Sequence, residues 1–252
     1  MGEITPRYVI GSIGPVSREH AQERQENPNP NLRSERLLPP DIVQHYAGIG
    51  IKDYTPEGVE DGISRYWDCV DQLMQHKLNR IGWGGLPISA QLGRERCLKL
   101  IEETEKRTGL PAGNDFEAVV AAWRHLGIGR IAVASRWAAQ LNDAVVKYFK
   151  DADIEVLTIT TAGQWAGEAF SMSLDTGIRL VFQLSGQAMK QAPEAEGLFL
   201  PGGTWRSLGC MPHLEEDYGV PVISNGTAQV WRLIHEGIAP PVQGWGRLLE
   251  TP

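Results

Sequence analysis

No apolar run in this 252-residue chain approaches the ~20 residues that a membrane-crossing helix needs, and the N-terminus lacks the basic-then-apolar pattern of a signal peptide. A cytoplasmic location without a membrane partner is the default expectation. Cysteine is scarce: Cys69, Cys97 and Cys210 are odd in number and show no CxxC spacing, which supports neither a disulfide framework nor a zinc cluster. Reduced thiols are expected. Positive charge is also short. The 24 Lys and Arg face 31 Asp and Glu, the formal net charge is -7, and no basic stripe carries interleaved aromatics, so nucleic acid is not an expected partner. Absent too are GxGxxG, GxxxxGKS/T, HExxH and GxSxG, which removes the signatures of nucleotide, zinc-protease and α/β-hydrolase chemistry.

What is present is an ordinary globular composition, 42% hydrophobic and 22% charged, on a chain long enough for one large or two small domains. One stretch occurs twice. Gly109 to Ile128 (GLPAGNDFEAVVAAWRHLGI) and Gly219 to Ile238 (GVPVISNGTAQVWRLIHEGI) align without a gap at an offset of 110 residues. Each copy reads as a short buried strand that turns through small and polar residues into an amphipathic helix stopped by glycine. A glycine-rich strand end precedes each, with Gly84-Gly85 before the first and Gly202-Gly203 before the second. Such self-similarity predicts an α/β fold of two pseudo-symmetric Rossmann-like lobes, each a parallel sheet flanked by helices. The boundaries read as 1–115 for the first lobe, completed by 227–252, and 116–226 for the second.

The remaining pattern fills in the strands and helices. Strands are expected at Arg7–Ile13, within Ile42–Ile51, at Arg80–Gly85, Leu110–Ala112, Arg130–Ala134, Ile154–Ile159 and Gly197–Leu200. Val16 to Arg36, rich in charge, Asn and Pro, reads as a long loop or mobile lid. Thr55 caps a helix that Pro56 opens and that runs to about Lys77. Further helices are expected at Arg94–Thr108, from about Asp115, at Ala138–Phe149, Thr176–Ala192, around His213–Tyr218 and at Ala228–Glu236, the last packing back on the first lobe.

Strand ends and helix starts of both lobes then face one cleft, a setting suited to an anionic ligand. Asp115 and Glu117 open the first repeat helix, and Asp115 reads first as its N-cap and second as a group with a chemical role. Asn114, Ser224, Asn225 and Thr227 can cap helices or hydrogen-bond a carboxylate. Gly84, Gly85, Gly202 and Gly203 can admit a ligand close to the backbone. Trp83, Trp137, Trp165 and Trp205 fall near strand ends or loops, where they can pack the core or wall a pocket, with Arg136 and Arg206 beside two of them. His20 is the single imidazole of the polar N-terminal stretch.

These residues carry a likeness. TPEG at Thr55, TGLPA at Thr108, LGIGRIAVAS from Leu126 and GVPV at Gly219 resemble the aspartate/glutamate racemase superfamily, and within it the arylmalonate decarboxylase and maleate cis-trans isomerase branch. The likeness runs from about Ile49 to the C-terminus, with a looser match around Gly14-Pro15. It implies an active site between two lobes, with no metal and no organic cofactor. It also implies a cysteine after the middle strand of one or both lobes, yet Gly85 and Pro201 hold those positions here. Leu86 and Pro87 stand where the decarboxylase has hydroxyl residues that bind a carboxylate, and Trp137 stands where it has a tyrosine.

The resulting expectation is a cofactor-independent enzyme acting on a small or aryl carboxylate, by decarboxylation or isomerisation through an enediolate-like intermediate. Proton transfer is left to Glu117, Asp115, His20 or Cys210, and Glu117 is the first choice. Gly14, Pro15, Gly84, Gly85, Asn114, Trp137, Pro201, Gly202, Gly203 and Asn225 are the expected substrate contacts. Hydrolysis of an amide or lactone by a carboxylate-activated water stays open, as do a non-catalytic carboxylate-binding role and a homo-oligomeric state.

Overall fold

A computed structural model describes residues 5–26, 34–166, 168, 172–202 and 207–251. The first sheet has the order β2-β1-β3-β4, built from β1 (Tyr8–Gly14), β2 (Ile42–Gly48), β3 (Arg80–Trp83) and β4 (Ala112–Asn114). A second sheet repeats that order with β5 (Arg130–Val133), β6 (Glu155–Ile159), β7 (Gly197–Leu200) and β8 (Val222–Ser224) as β6-β5-β7-β8. All pairings are parallel, as helical crossovers require.

The helices are α1 (Arg18–Glu26), α2 (Pro56–Ile63), α3 (Tyr66–Leu73), α4 (Leu86–Leu92) and α5 (Arg94–Thr108), which follow the strands of the first sheet, and α6 (Asp115–His125), which leaves it. They continue with α7 (Ala139–Lys150), α8 (Leu174–Gln191), α9 (Met211–Tyr218), α10 (Asn225–His235) and α11 (Arg247–Glu250). Among the described residues no helix is long and apolar enough to cross a membrane.

The strand expected at Leu110–Ala112 forms two residues later as β4, and three further local outcomes differ from the sequence reading. The polar stretch after β1 is not wholly loop, because α1 forms. The Ser17 hydroxyl accepts the His20 amide at 3.3 Å, and buried Ala21 turns one face toward β2 while charge covers the rest. The expected helix from Pro56 to Lys77 breaks into α2 and α3. A Cβ on Gly62 would stand 2.2 Å from Ile51, and the Arg65 side chain leaves the helix line to donate to the Ile49 and Gly50 carbonyls. Finally, Leu86–Leu92 is helical although Gly85, Leu86 and Pro87 read as a turn, since proline fits a first helical turn.

The repeat sets the relation between the sheets. Helices α6 and α10 lie side by side and run in the same direction: Asp115 and Asn225 meet at their starts, His125 and His235 at their ends with ring centroids 5.2 Å apart. Each crosses to the opposite lobe. Trp123 of α6 lies so close on β7 that a Cβ on Gly197 would stand 2.6 Å from its ring, while α10 sends Arg232 over Gly113 of β4. Fully buried Trp123 gains roughly 3 kcal/mol or more from its apolar area.

The thiols of Cys69 on α3 and Cys97 on α5 are buried, and burial raises the pKa of both, that of Cys97 to about 12. Neither is a poised nucleophile. Cys69→Ala and Cys97→Ala are therefore expected to cost about 1 kcal/mol each and leave turnover unchanged. Thermal melts beside rate assays check this, and lost turnover at an unchanged melting temperature would overturn it.

Candidate functional site

The cleft lies where β1, β3 and β4 face β5, β7 and β8 at their C-terminal ends. After β3 and β7 the chain makes two matching glycine turns, Gly85 at φ 108 and Gly202 at φ 93, a region that disfavours any side chain. Each turn is tied to the start of a repeat helix. The Gly85 amide donates to Asp115 Oδ2 at 3.0 Å, and the Gly202 amide donates to Asn225 Oδ1 at 3.1 Å. Asn225 Nδ2 then donates to Asp115 Oδ2 at 3.4 Å and closes the bridge between the lobes.

Those two amides point at side chains inside the protein and are not open to a ligand. They are therefore not the carboxylate donors that the glycine pairs suggested. Gly203, Trp205 and Arg206 lie outside the described residues.

Asp115 does not cap its helix. Asn114 does, its Oδ1 accepting the Glu117 amide at 2.7 Å, and in the second lobe Ser224 and Thr227 form a capping box. Asp115, the first helical residue, is freed to reach the glycine turn. Its carboxyl is fully buried, and desolvation raises its pKa from the ordinary 3.8 to about 7, against the lowering effect of the Gly85 and Asn225 bonds. The Oδ1 atom has no hydrogen-bond partner. A Cβ on Gly84 would stand 4.0 Å from Asp115 Oδ2, so the Gly84 turn lies directly beside the carboxyl.

The cationic wall comes from the second lobe. Arg136, 1% exposed, lies three residues beyond β5, with its Nη2 3.7 Å from where a Gly202 Cβ would stand. Burial lowers its pKa to about 10, opposed by the field of Glu168 and of Tyr54 from the first lobe. A donor fork at the lobe junction suits a carboxylate. Trp137 is buried against Gly202, and its backbone is fixed from below. Ser135 Oγ accepts the Trp137 amide at 3.1 Å, and Asn142 Nδ2 donates to the Trp137 and Thr160 carbonyls.

The first lobe contributes Pro15, whose Cδ lies 3.6 Å from a Cβ placed on Gly85, and buried Tyr54. Gly14 and Pro15 spend their carbonyls on the amides of Ile49 and Ile51, which fixes this edge. Trp165 reaches across from the second lobe and donates to Asp53 Oδ1 at 2.6 Å. Trp83 does not wall the cleft; it packs edge-on against Tyr66 in the first core.

The other proposed proton carriers stand elsewhere. Glu117 is committed to Arg94, whose Nε and Nη2 donate at 2.9 and 3.3 Å, and to the Tyr148 hydroxyl at 3.0 Å. His20 is exposed on α1, beside the Ser17 hydroxyl. Cys210 packs among Ala132, Leu200 and Met211 in the second core, and burial raises its thiol pKa. Pro201 is buried just after β7 and offers no titrating group. Among the described residues no three His, Cys, Asp or Glu side chains converge as a metal site requires.

Sequence reasoning missed Tyr54, which no motif marks, and the Asp115–Asn225 contact, for which the 110-residue offset was the available signal. Because Glu117 anchors Arg94, Glu117→Gln is expected to lower stability by about 2 kcal/mol and to reduce turnover far less than a change at Asp115. A large rate loss at an unchanged melting temperature would return Glu117 to the chemistry.

With this geometry in view, the chain was compared with known proteins. A family model described as arylmalonate decarboxylase matches residues 33–249. The arylmalonate decarboxylase of Bordetella bronchiseptica is 26% identical over 215 residues, 84% of this chain and 88% of that protein. Unliganded arylmalonate decarboxylase has a TM-score of 0.81 at 25% identity, covering 97% of this chain and 100% of that one. A Nocardia farcinica maleate cis-trans isomerase mutant with a covalently bound succinylcysteine intermediate also scores 0.81, at 19% identity, covering 97% and 99%. That last likeness is one of fold.

Proposed function

Since the chain belongs to the arylmalonate decarboxylase family, we propose that it is a cytoplasmic, cofactor-independent decarboxylase of a small or aryl-substituted dicarboxylate, with Asp115 as its proton donor. The supporting observation is the buried Asp115 carboxyl, half protonated near neutrality at the lobe junction, where the family's cysteine positions hold Gly85 and Pro201.

Isomerisation by transient addition needs a nucleophile. Decarboxylation needs an electron sink and a proton. In the proposed reaction Arg136 holds the carboxylate that is retained. The bond from the α-carbon to the other carboxylate breaks, CO2 leaves, and the electron pair passes into an enediolate whose negative charge the guanidinium stabilises. Asp115 then gives its proton to the α-carbon, directly or through one water at the Gly84 turn, and regains it from solvent. Buried Trp137 against Gly202 makes the wall apolar, and a carboxylate held in such a dry site loses neutral CO2 more readily.

The test is incubation with aryl- and alkyl-substituted malonates and with maleate, following CO2 release and product by NMR. Release of CO2 with one solvent-derived hydrogen on the α-carbon is expected. Conversion of maleate to fumarate alone, or binding without turnover, would overturn the proposal.

A further inference from the structure

Apart from the cleft, a cavity of about 90 Å³ lies between the first sheet and α10. The internal repeat shows why it exists. With Asn114 aligned to Ser224, the cross-strand row Ser12–Gly82–Gly113 of the first sheet corresponds to Val133–Phe199–Ile223 of the second. All three residues of the second row are 0% exposed and fill the space under α6. A serine and two glycines leave that space empty under α10. The fold does not demand the hole; these three residues make it.

Part of its wall is polar and faces the cavity without a partner in the protein. Arg232 lies over the floor, its Nη1 2.8 Å from where a Gly113 Cβ would stand. Its Nε donates to Glu236 Oε1 at 3.1 Å, and Arg80 donates to both oxygens of that carboxylate at 2.7 and 3.1 Å. Two guanidinium groups thus share one carboxylate, which leaves a net positive charge at the rim. Among the described residues the two Nη atoms of Arg232 and the side chains of Ser12, Gln44 and Gln229 form no hydrogen bond within the protein. Ile10 and Leu233 supply apolar wall beside them.

We infer that this cavity is a second small-molecule site, taking a small monocarboxylate with its anion on the Arg232 fork and its alkyl or aryl body over Gly82, beside Ser12. A planar fork matches a carboxylate bidentately, neutral amides and a hydroxyl complete its shell, and the glycine floor admits a flat body. The lining shares Asn114 with the edge of the cleft but contains none of Asp115, Arg136 and Trp137, so the cavity runs from the cleft under α10 along β1 and β3.

The test is calorimetric titration of butyrate and benzoate into Arg136→Gln protein, in which the cleft has lost its cation. Retained binding is expected, weakened about tenfold or more by adding Arg232→Gln, a loss on the scale of one charge-assisted hydrogen bond, and abolished by adding Gly113→Val. Gly113 is chosen because a side chain there meets only the movable tip of Arg232, whereas a Cβ on Gly82 would stand 2.8 Å from the Gly113 carbonyl oxygen. Should Gly113→Val fail to fold, Ser12→Val fills the same row as Val133 does in the second lobe. No binding in Arg136→Gln protein, binding that none of these changes weakens, or equal affinity for butyramide and butyrate would overturn the inference.

Discussion

Asp115→Asn is expected to lower turnover by about 10²-fold or more while keeping the fold, because the amide matches the carboxyl in shape and can still accept from Gly85 but has no proton to give. The stability consequence has the opposite sign. In the native protein the Asp115 pKa stands at about 7 against an ordinary 3.8, so between those values the folded state binds more protons than the unfolded one. The unfolding free energy of the parent protein therefore falls as pH rises through that window, by an amount on the order of 4 kcal/mol. The variant lacks this loss. Its melting temperature is expected to gain on the parent's from about pH 4 to about pH 7, and the parent's turnover to decline above about pH 7 as the acid form disappears. A parallel pH dependence of the two melting curves, or a parent rate that climbs with pH across neutrality, would remove Asp115 from the proposed role.

For Arg136→Gln both constants are expected to suffer: KM rises about 10²-fold with loss of the retained carboxylate's partner, and kcat falls as well because the guanidinium also meets the enediolate charge. A buried cation that holds the retained carboxylate does so before and during the reaction, and loss of such a contact costs a few kcal/mol in both states. The folded protein should tolerate the change, because burial already penalises the guanidinium enough to lower its pKa to about 10. Steady-state kinetics on any converted malonate measures it. A KM within a factor of about 3 of the parent value would place carboxylate recognition elsewhere.

The elements that were legible are those with strong periodicity and punctuation. Both repeat helices, the strand Gly197–Leu200 and the cap at Thr55 stand where the pattern put them, since apolar spacing and Thr-Pro chemistry are local signals. Three things were not local. Leu86–Leu92 hid behind a Gly-Leu-Pro run that suits a turn as well as a first helical turn. The break at Ser64 depends on Ile51 pressing on Gly62 and on Arg65 leaving for the Ile49 and Gly50 carbonyls. The exchange of capping duty from Asp115 to Asn114 depends on the Gly85 amide arriving from another strand. For the proposed site, the sequence ranked Glu117 before Asp115, because nothing along the chain shows that Arg94 and Tyr148 hold the Glu117 carboxylate.

The crossing of α6 and α10 carries an implication for how this molecule holds together. Each repeat lends its closing helix to the other sheet, so the chain has the layout of a domain-swapped dimer written into one polypeptide. Neither repeat owns a complete core: without α6 the second sheet loses Trp123, and without α10 the first loses Val230 and Leu233. The two halves should therefore melt as one cooperative unit, and a chain cut in the Gly127–Gly129 turn should regain structure only when both fragments are present together.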